Sequence, residues 1–153
     1  MLKIFLSFLG IILLILVKER MNKRKDAEQF LITLDRRIYD LLQDIKGLYS
    51  LPQKKQIVKN KRGEPVDETT IHRSFLEIVE FIELNNSIAH KEIEKYIKEL
   101  KDSESKWMNL VSVYNGNTDQ YFSTDEVPEK LQKERENFIN KLENLRVEIK
   151  KQL

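Results

Sequence analysis

From Ala27 to Leu48 the apolar residues Ala27, Leu31, Leu34, Ile38, Leu41, Ile45 and Leu48 follow one another at intervals of 4, 3, 4, 3, 4 and 3 residues. A strand repeats its faces every two residues and a helix about every 3.6, so this spacing fits a helix carrying one apolar seam. Such a seam must be covered by other helices. Phe30, Leu42 and Tyr49 widen it toward the broader face of a bundle helix. The pattern returns at Ile71, Phe75, Ile78 and Ile82, with Leu76, Val79 and Phe81 beside it. It returns again at Ile93, Ile97, Leu100, Trp107, Val111 and Tyr114, where Glu104 holds the one seam position that is not apolar. Leu131, Phe138, Leu142, Leu145 and Ile149 form a last seam, with Ile139 alongside. Only 4 Gly and 3 Pro occur, against 34% charged residues, which is the balance of helices with long solvated faces. The prediction is an all-α fold: a three- or four-helix antiparallel bundle with heptad-like, coiled-coil-type packing. A dimeric coiled coil is the alternative, because seam length does not set partner number.

The breaks between seams are readable too. Pro52 forbids continuation of the first helix and biases Leu51 away from helical angles. Gln53–Glu68 reads as a loop, in which Lys61-Arg62-Gly63 could turn a small hairpin between Ile57-Val58 and Val66. Asp67 and Thr70 can cap the second helix. Asn85-Asn86-Ser87 predicts a tight turn or kink. Since no Gly or Pro lies between Val66 and Asn115, one unbroken helix is the rival there. Asn115-Gly116-Asn117 should stop the third helix, and Pro128 fits the first turn of the fourth, behind Thr124 or Asp125.

Ahead of the first seam lies Ile4–Val17, in which twelve of fourteen residues are Ile, Leu, Phe or Val. A helix apolar on every side needs lipid or the centre of a large protein. Fourteen residues span about 21 Å, short of a hydrocarbon core of about 30 Å, though a bilayer thins to meet a short span at modest cost. A secretory signal would end in a small-x-small site. Here Lys18, Glu19 and Arg20 follow, and the first alanine is Ala27. The expectation is therefore an uncleaved signal anchor: a transmembrane helix over 1–17, a basic juxtamembrane segment over 18–26 and a helical bundle domain over 27–153. Lys18, Arg20, Lys23, Arg24 and Lys25 follow the apolar run directly, so the positive-inside rule puts the N-terminus outside and the bundle in the cytoplasm. These five cations are predicted to contact anionic headgroups, so a lipid bilayer is the first expected partner. The setting that suits the composition is a bacterial cytoplasmic membrane.

Charge divides along the chain. Residues 18–62 carry 13 Lys/Arg against 6 Asp/Glu, a net +7, and residues 63–153 carry 13 against 19, a net −6. This predicts a basic membrane-proximal part and an acidic distal part. Lys54, Lys55, Lys59, Lys61 and Arg62 form a basic run open to a polyanion; no aromatic is interleaved to stack on single-stranded bases. Tyr121 and Phe122, in the polar loop before the last helix, are the candidate contact for a protein partner.

The residue types limit the chemistry. With no cysteine there are no disulfides, thiol nucleophiles or thiolate metal sites. A di-iron bundle needs Glu-x-x-His twice, but Thr69 precedes His72 by three and Ser87 precedes His90 by three. Glu77, Glu80 and Glu83 share a stripe opposite the seam and read as a solvated face. Gly63 and Gly116 stand alone, so no phosphate-cradling loop is present. The sequence points to a non-enzymatic, single-pass membrane protein, without cofactor, acting as an interaction, scaffold or regulatory module through a protein partner or self-association. A membrane-tethered nucleic-acid binder using residues 54–62 is the alternative, as is an extracytoplasmic helical protein of inverted topology.

Overall fold

The computed structural model describes residues 2–50, 59–88, 91–114 and 127–153, and the side chains of these except 2–10, 49, 50, 114, 127 and 128. Four helices are present: α1 (Leu2–Ser50), α2 (Glu68–Leu84), α3 (Lys91–Tyr114) and α4 (Val127–Gln152). No strand forms among the described residues. Each helix packs against two others, α1 and α3 both lying against α2 and α4, which arranges the four as a square.

The pairings are antiparallel. Phe30 of α1 stacks on Phe81 of α2, while Asp40 is reached by Lys61 from the loop before α2. Asp35 meets Arg146 near the end of α4, and Lys46 meets Glu143. Connected in order, the helices run up, down, up and down, the up-down-up-down topology of a four-helix bundle.

The seams meet in one core. Leu34, Ile38, Leu41 and Ile45 from α1 join Ile71, Phe75, Ile78 and Ile82 from α2. Ile93, Ile97, Leu100, Trp107 and Val111 come from α3, and Phe138, Leu142, Leu145 and Ile149 from α4. At mid-height Phe138 meets Phe75 edge-on at 5.3 Å and Trp107 at 5.7 Å, a packing that aromatic quadrupoles favour. Glu104 fills its seam position after all: it is buried, and its Oε1 lies 2.5 Å from Nδ1 of His72 across the α2–α3 interface.

The break between α2 and α3 is a turn at Asn85–Ile88, which excludes the unbroken helix. Asn85 closes α2: its backbone N–H donates to Ile82, and its side-chain amide donates to the Phe81 carbonyl at 2.7 Å. Asp67 caps the start of α2, accepting the Thr70 N–H at 2.7 Å, and that bond holds its carboxyl below the usual carboxylate range.

The apolar stretch and the first seam share one helix, α1. It is continuous from Leu2 to Ser50. From Ile11 to Asp26 every residue is exposed, and burial begins only at Phe30. Ile11–Val17 are between 42% and 71% exposed, with no neighbouring helix over them. Among the described residues no helix is long and apolar enough to cross a membrane.

Candidate functional site

The most elaborately fixed surface element is the loop before α2. Lys59 bridges Pro65 in antiparallel fashion, and the chain between them turns on Asn60. The Asn60 side-chain oxygen accepts the N–H groups of Arg62 at 2.9 Å and Glu64 at 3.0 Å. Its backbone exchanges further bonds with Gly63 and Glu64. Gly63 sits at φ +77°, the left-handed region where a side chain is disfavoured. The turn expected at Lys61-Arg62-Gly63 thus forms, closed by one bridge between Lys59 and Pro65 and not by paired strands; Ile57 and Val58, the expected partners of Val66, lie outside the described residues.

The hairpin is riveted to two helices. Lys61 pairs with Asp40 of α1. Arg62 forks onto both oxygens of Glu77 of α2, at 3.1 and 2.7 Å. Glu64 takes Arg73 of α2 at 2.7 Å. The Arg62 fork holds the Glu77 carboxyl below its ordinary range and raises the guanidinium in turn. Glu77 is therefore half-buried and committed, which corrects its reading as a purely solvated residue. Glu80 is exposed as expected, and Glu83 reaches Lys101 of α3 at 2.8 Å.

A cleft of about 240 Å³ lies between hairpin, α1 and α2. Leu41 and Ile78 floor it; Arg37, Asp40, Asp44, Lys61, Arg62 and Glu77 stand around it, with Ser74, Gln43 and Asn60. Arg37 lies 4.4 Å over the Phe81 ring, a cation–π contact. Asp44 has its carboxyl pushed up, first by burial and then by the nearby negative charge of Asp40, with Lys61 opposing. The cleft offers charge complementarity and an apolar floor.

The other sequence-marked residues are scattered. Lys18, Arg20, Lys23, Arg24 and Lys25 are all exposed on the projecting part of α1, where Lys23 also pairs with Glu19 one turn away at 2.9 Å. Of the basic run, Lys54 and Lys55 lie outside the described residues, Lys59 is exposed, and Lys61 and Arg62 are held in the ion pairs above. Tyr121, Phe122 and His90 lie outside the described residues. Among the described residues no group of three His, Asp or Glu is placed to hold a metal ion.

The near-basic, far-acidic division along the chain is folded into an antiparallel arrangement. In an antiparallel bundle α4 returns Lys150 and Lys151 to the end where α1 enters, and the hairpin lysine folds back beside Asp40. Sequence reasoning missed the cleft and the His72–Glu104 contact, which join residues 15 to 32 positions apart. The one available signal was Glu104 itself, a charge on a seam.

No protein-family model matches the chain, and no curated protein or solved structure matches it.

Proposed function

We propose that this chain is a membrane-tethered, non-catalytic interaction module. Its tether is the first part of α1, and its working part is the four-helix bundle. The observation that carries this reading is the exposure of Ile11–Val17 on a helix that continues without interruption into the bundle. Seven consecutive large apolar residues on all faces cannot be covered by the chain's own helices, which stand against residues 30 and beyond. Each gains about 0.3 to 0.6 kcal/mol near a bilayer centre, so these seven alone favour lipid by roughly 2 to 4 kcal/mol. The preceding apolar residues, Ile4 to Leu9, add to that.

The run is short for a full span, so local thinning of the bilayer accompanies insertion. The exposed cations from Lys18 to Lys25 then lie at the headgroups, at about 1 kcal/mol each near an anionic surface, on the cytoplasmic side. The bundle begins about 20 Å beyond Val17 along the helix, so it stands off the surface on a charged stalk. A protein partner would meet it on the hairpin side or at the Tyr121-Phe122 loop.

Fractionation tests the tether. The full-length chain should stay with membranes through alkaline carbonate extraction and be released by detergent. A full-length chain that is soluble and monomeric without detergent would overturn the reading. Orientation is tested separately, by reporter fusion: neutralising Lys18, Arg20, Lys23, Arg24 and Lys25 together should scramble topology, and unchanged orientation would remove the charge argument.

A further inference from the structure

The cleft beneath the hairpin holds one carboxylate that no described side chain hydrogen-bonds or pairs with at close range. Asp40 is answered by Lys61, and Glu77 by the Arg62 fork. Asp44, on the same face of α1 one turn beyond Asp40, has no hydrogen bond or ion pair with any described residue. Its carboxyl is half-buried, and desolvation together with Asp40 raises its pKa, with the attraction of Lys61 against them. A half-buried carboxylate gains most from a cation that it can hydrogen-bond directly. The floor below it, Leu41 and Ile78, is aliphatic, so it suits a hydrocarbon stem. The walls are pre-set: Asn60 fixes the hairpin turn, and three ion pairs hold the hairpin to α1 and α2, so little ordering remains to oppose binding.

We propose that this cleft receives a single ammonium or guanidinium group carried on a short aliphatic stem, with Asp44 as its counter-ion and Leu41 and Ile78 beneath the stem. Asp40 stays with Lys61, Glu77 stays with Arg62, and Arg37 remains over Phe81 at the other end of the cleft. The volume, about 240 Å³, suits one such side chain and not a folded segment. That chemistry occurs in a free amine or guanidine of this shape and in a Lys or Arg side chain presented by a peptide. The proposal is independent of the tether, since all its residues lie in the bundle.

Titration calorimetry of the full-length chain in detergent micelles tests it, with agmatine as one probe and a blocked Gly-Arg-Gly peptide as the other. Saturable binding of agmatine alone identifies a free small cation as the ligand type, and binding of the peptide identifies a presented side chain. Asp44→Asn should weaken either at least about tenfold, the size of a lost charge-assisted hydrogen bond. Asp26→Asn, on the exposed stalk, should leave affinity unchanged. Far-UV circular dichroism verifies that Asp44→Asn keeps its helices. For the native chain, affinity should fall as pH is lowered through the raised pKa of Asp44, because the proton and the cation compete for one carboxylate. Absence of saturable binding by either probe at millimolar concentration overturns the proposal, as does equal affinity of the native chain and Asp44→Asn.

Discussion

α1 is one helix with two sequences in it. Over Ile11–Val17 every residue is apolar; over Phe30–Leu48 the apolar residues apart from Ile32 and Tyr39 keep to a stripe, with Arg36, Arg37, Asp40 and Lys46 outside it. Backbone and helical geometry are the same in both. What differs is how many faces are greasy. A stripe is satisfied by the chain's own helices, and Leu34, Ile38 and Ile45 are fully buried against them. An all-round apolar helix cannot be satisfied by neighbours on one side, and residues 11–17 stay open. Between the two, Lys18–Asp26 is polar apart from Met21 and continuous in the helix, so it separates two hydrophobic burial problems without a break.

The comparison breaks most readily on side-chain truncation. Phe138→Ala removes the ring that touches both Phe75 and Trp107 and should cost about 3 to 5 kcal/mol. Ile38→Ala should cost about 2 to 5 kcal/mol for the same reason: a fully buried side chain leaves a cavity. Leu14→Ala, the same chemical deletion on the exposed stretch, should change bundle stability by less than about 0.5 kcal/mol. Urea unfolding in micelles, followed by Trp107 fluorescence, measures all three. Equal losses at Leu14 and Ile38 would mean that the stalk belongs to the cooperative unit.

A smaller effect separates the apolar core from its polar intrusion. His72→Ala leaves the buried Glu104 carboxylate without its partner and should destabilise by about 1 to 3 kcal/mol. Glu104→Leu removes the charge and completes the seam, so its cost should be close to zero or reversed in sign. If His72→Ala is neutral while Glu104→Leu is strongly destabilising, the contact at 2.5 Å is not what accommodates the buried carboxylate.

The truncations draw on what the sequence made plain. Seam spacing alone placed Ile71, Phe75, Ile78 and Ile82, and each is buried. Periodicity reports burial because one face of a helix repeats locally. Capping is local as well, so Asp67 and the Asn85 turn were readable. The cleft was not. Lys61 chooses Asp40 over 21 positions and Arg62 chooses Glu77 over 15, and nothing in a run of charges says which distant carboxylate each will meet.

The cap gives a pH test. The Asp67 pKa is depressed by the Thr70 N–H, so its stabilising share is present above the unfolded carboxyl value of 3.8 and is lost as pH falls through the folded value. Asp67→Ala should cost about 1 kcal/mol at neutral pH and less as the medium is acidified below that range. An unchanging difference between the two chains down to pH about 2 would deny the capping bond its role.

The weakest contrast is between two ion pairs at the two ends of the comparison. Arg146 forks onto Asp35 at 2.7 and 3.1 Å, partly buried between α4 and α1, and also lies 4.9 Å over the Tyr39 ring. Lys23 and Glu19 pair at 2.9 Å on the open stalk, with 76% and 57% of their side chains exposed. Arg146→Met should lower stability by about 1 kcal/mol, because it removes a bidentate contact joining two helices. Lys23→Met should leave the unfolding midpoint where it is, since water and salt already screen that pair and it joins a helix only to itself. Raising the salt concentration sharpens the contrast: the Arg146 effect should persist and the Lys23 variant should stay indistinguishable from the native chain. If the two substitutions weighed equally, the stalk would be sharing in the fold of the bundle, and α1 would not divide where its apolar pattern divides.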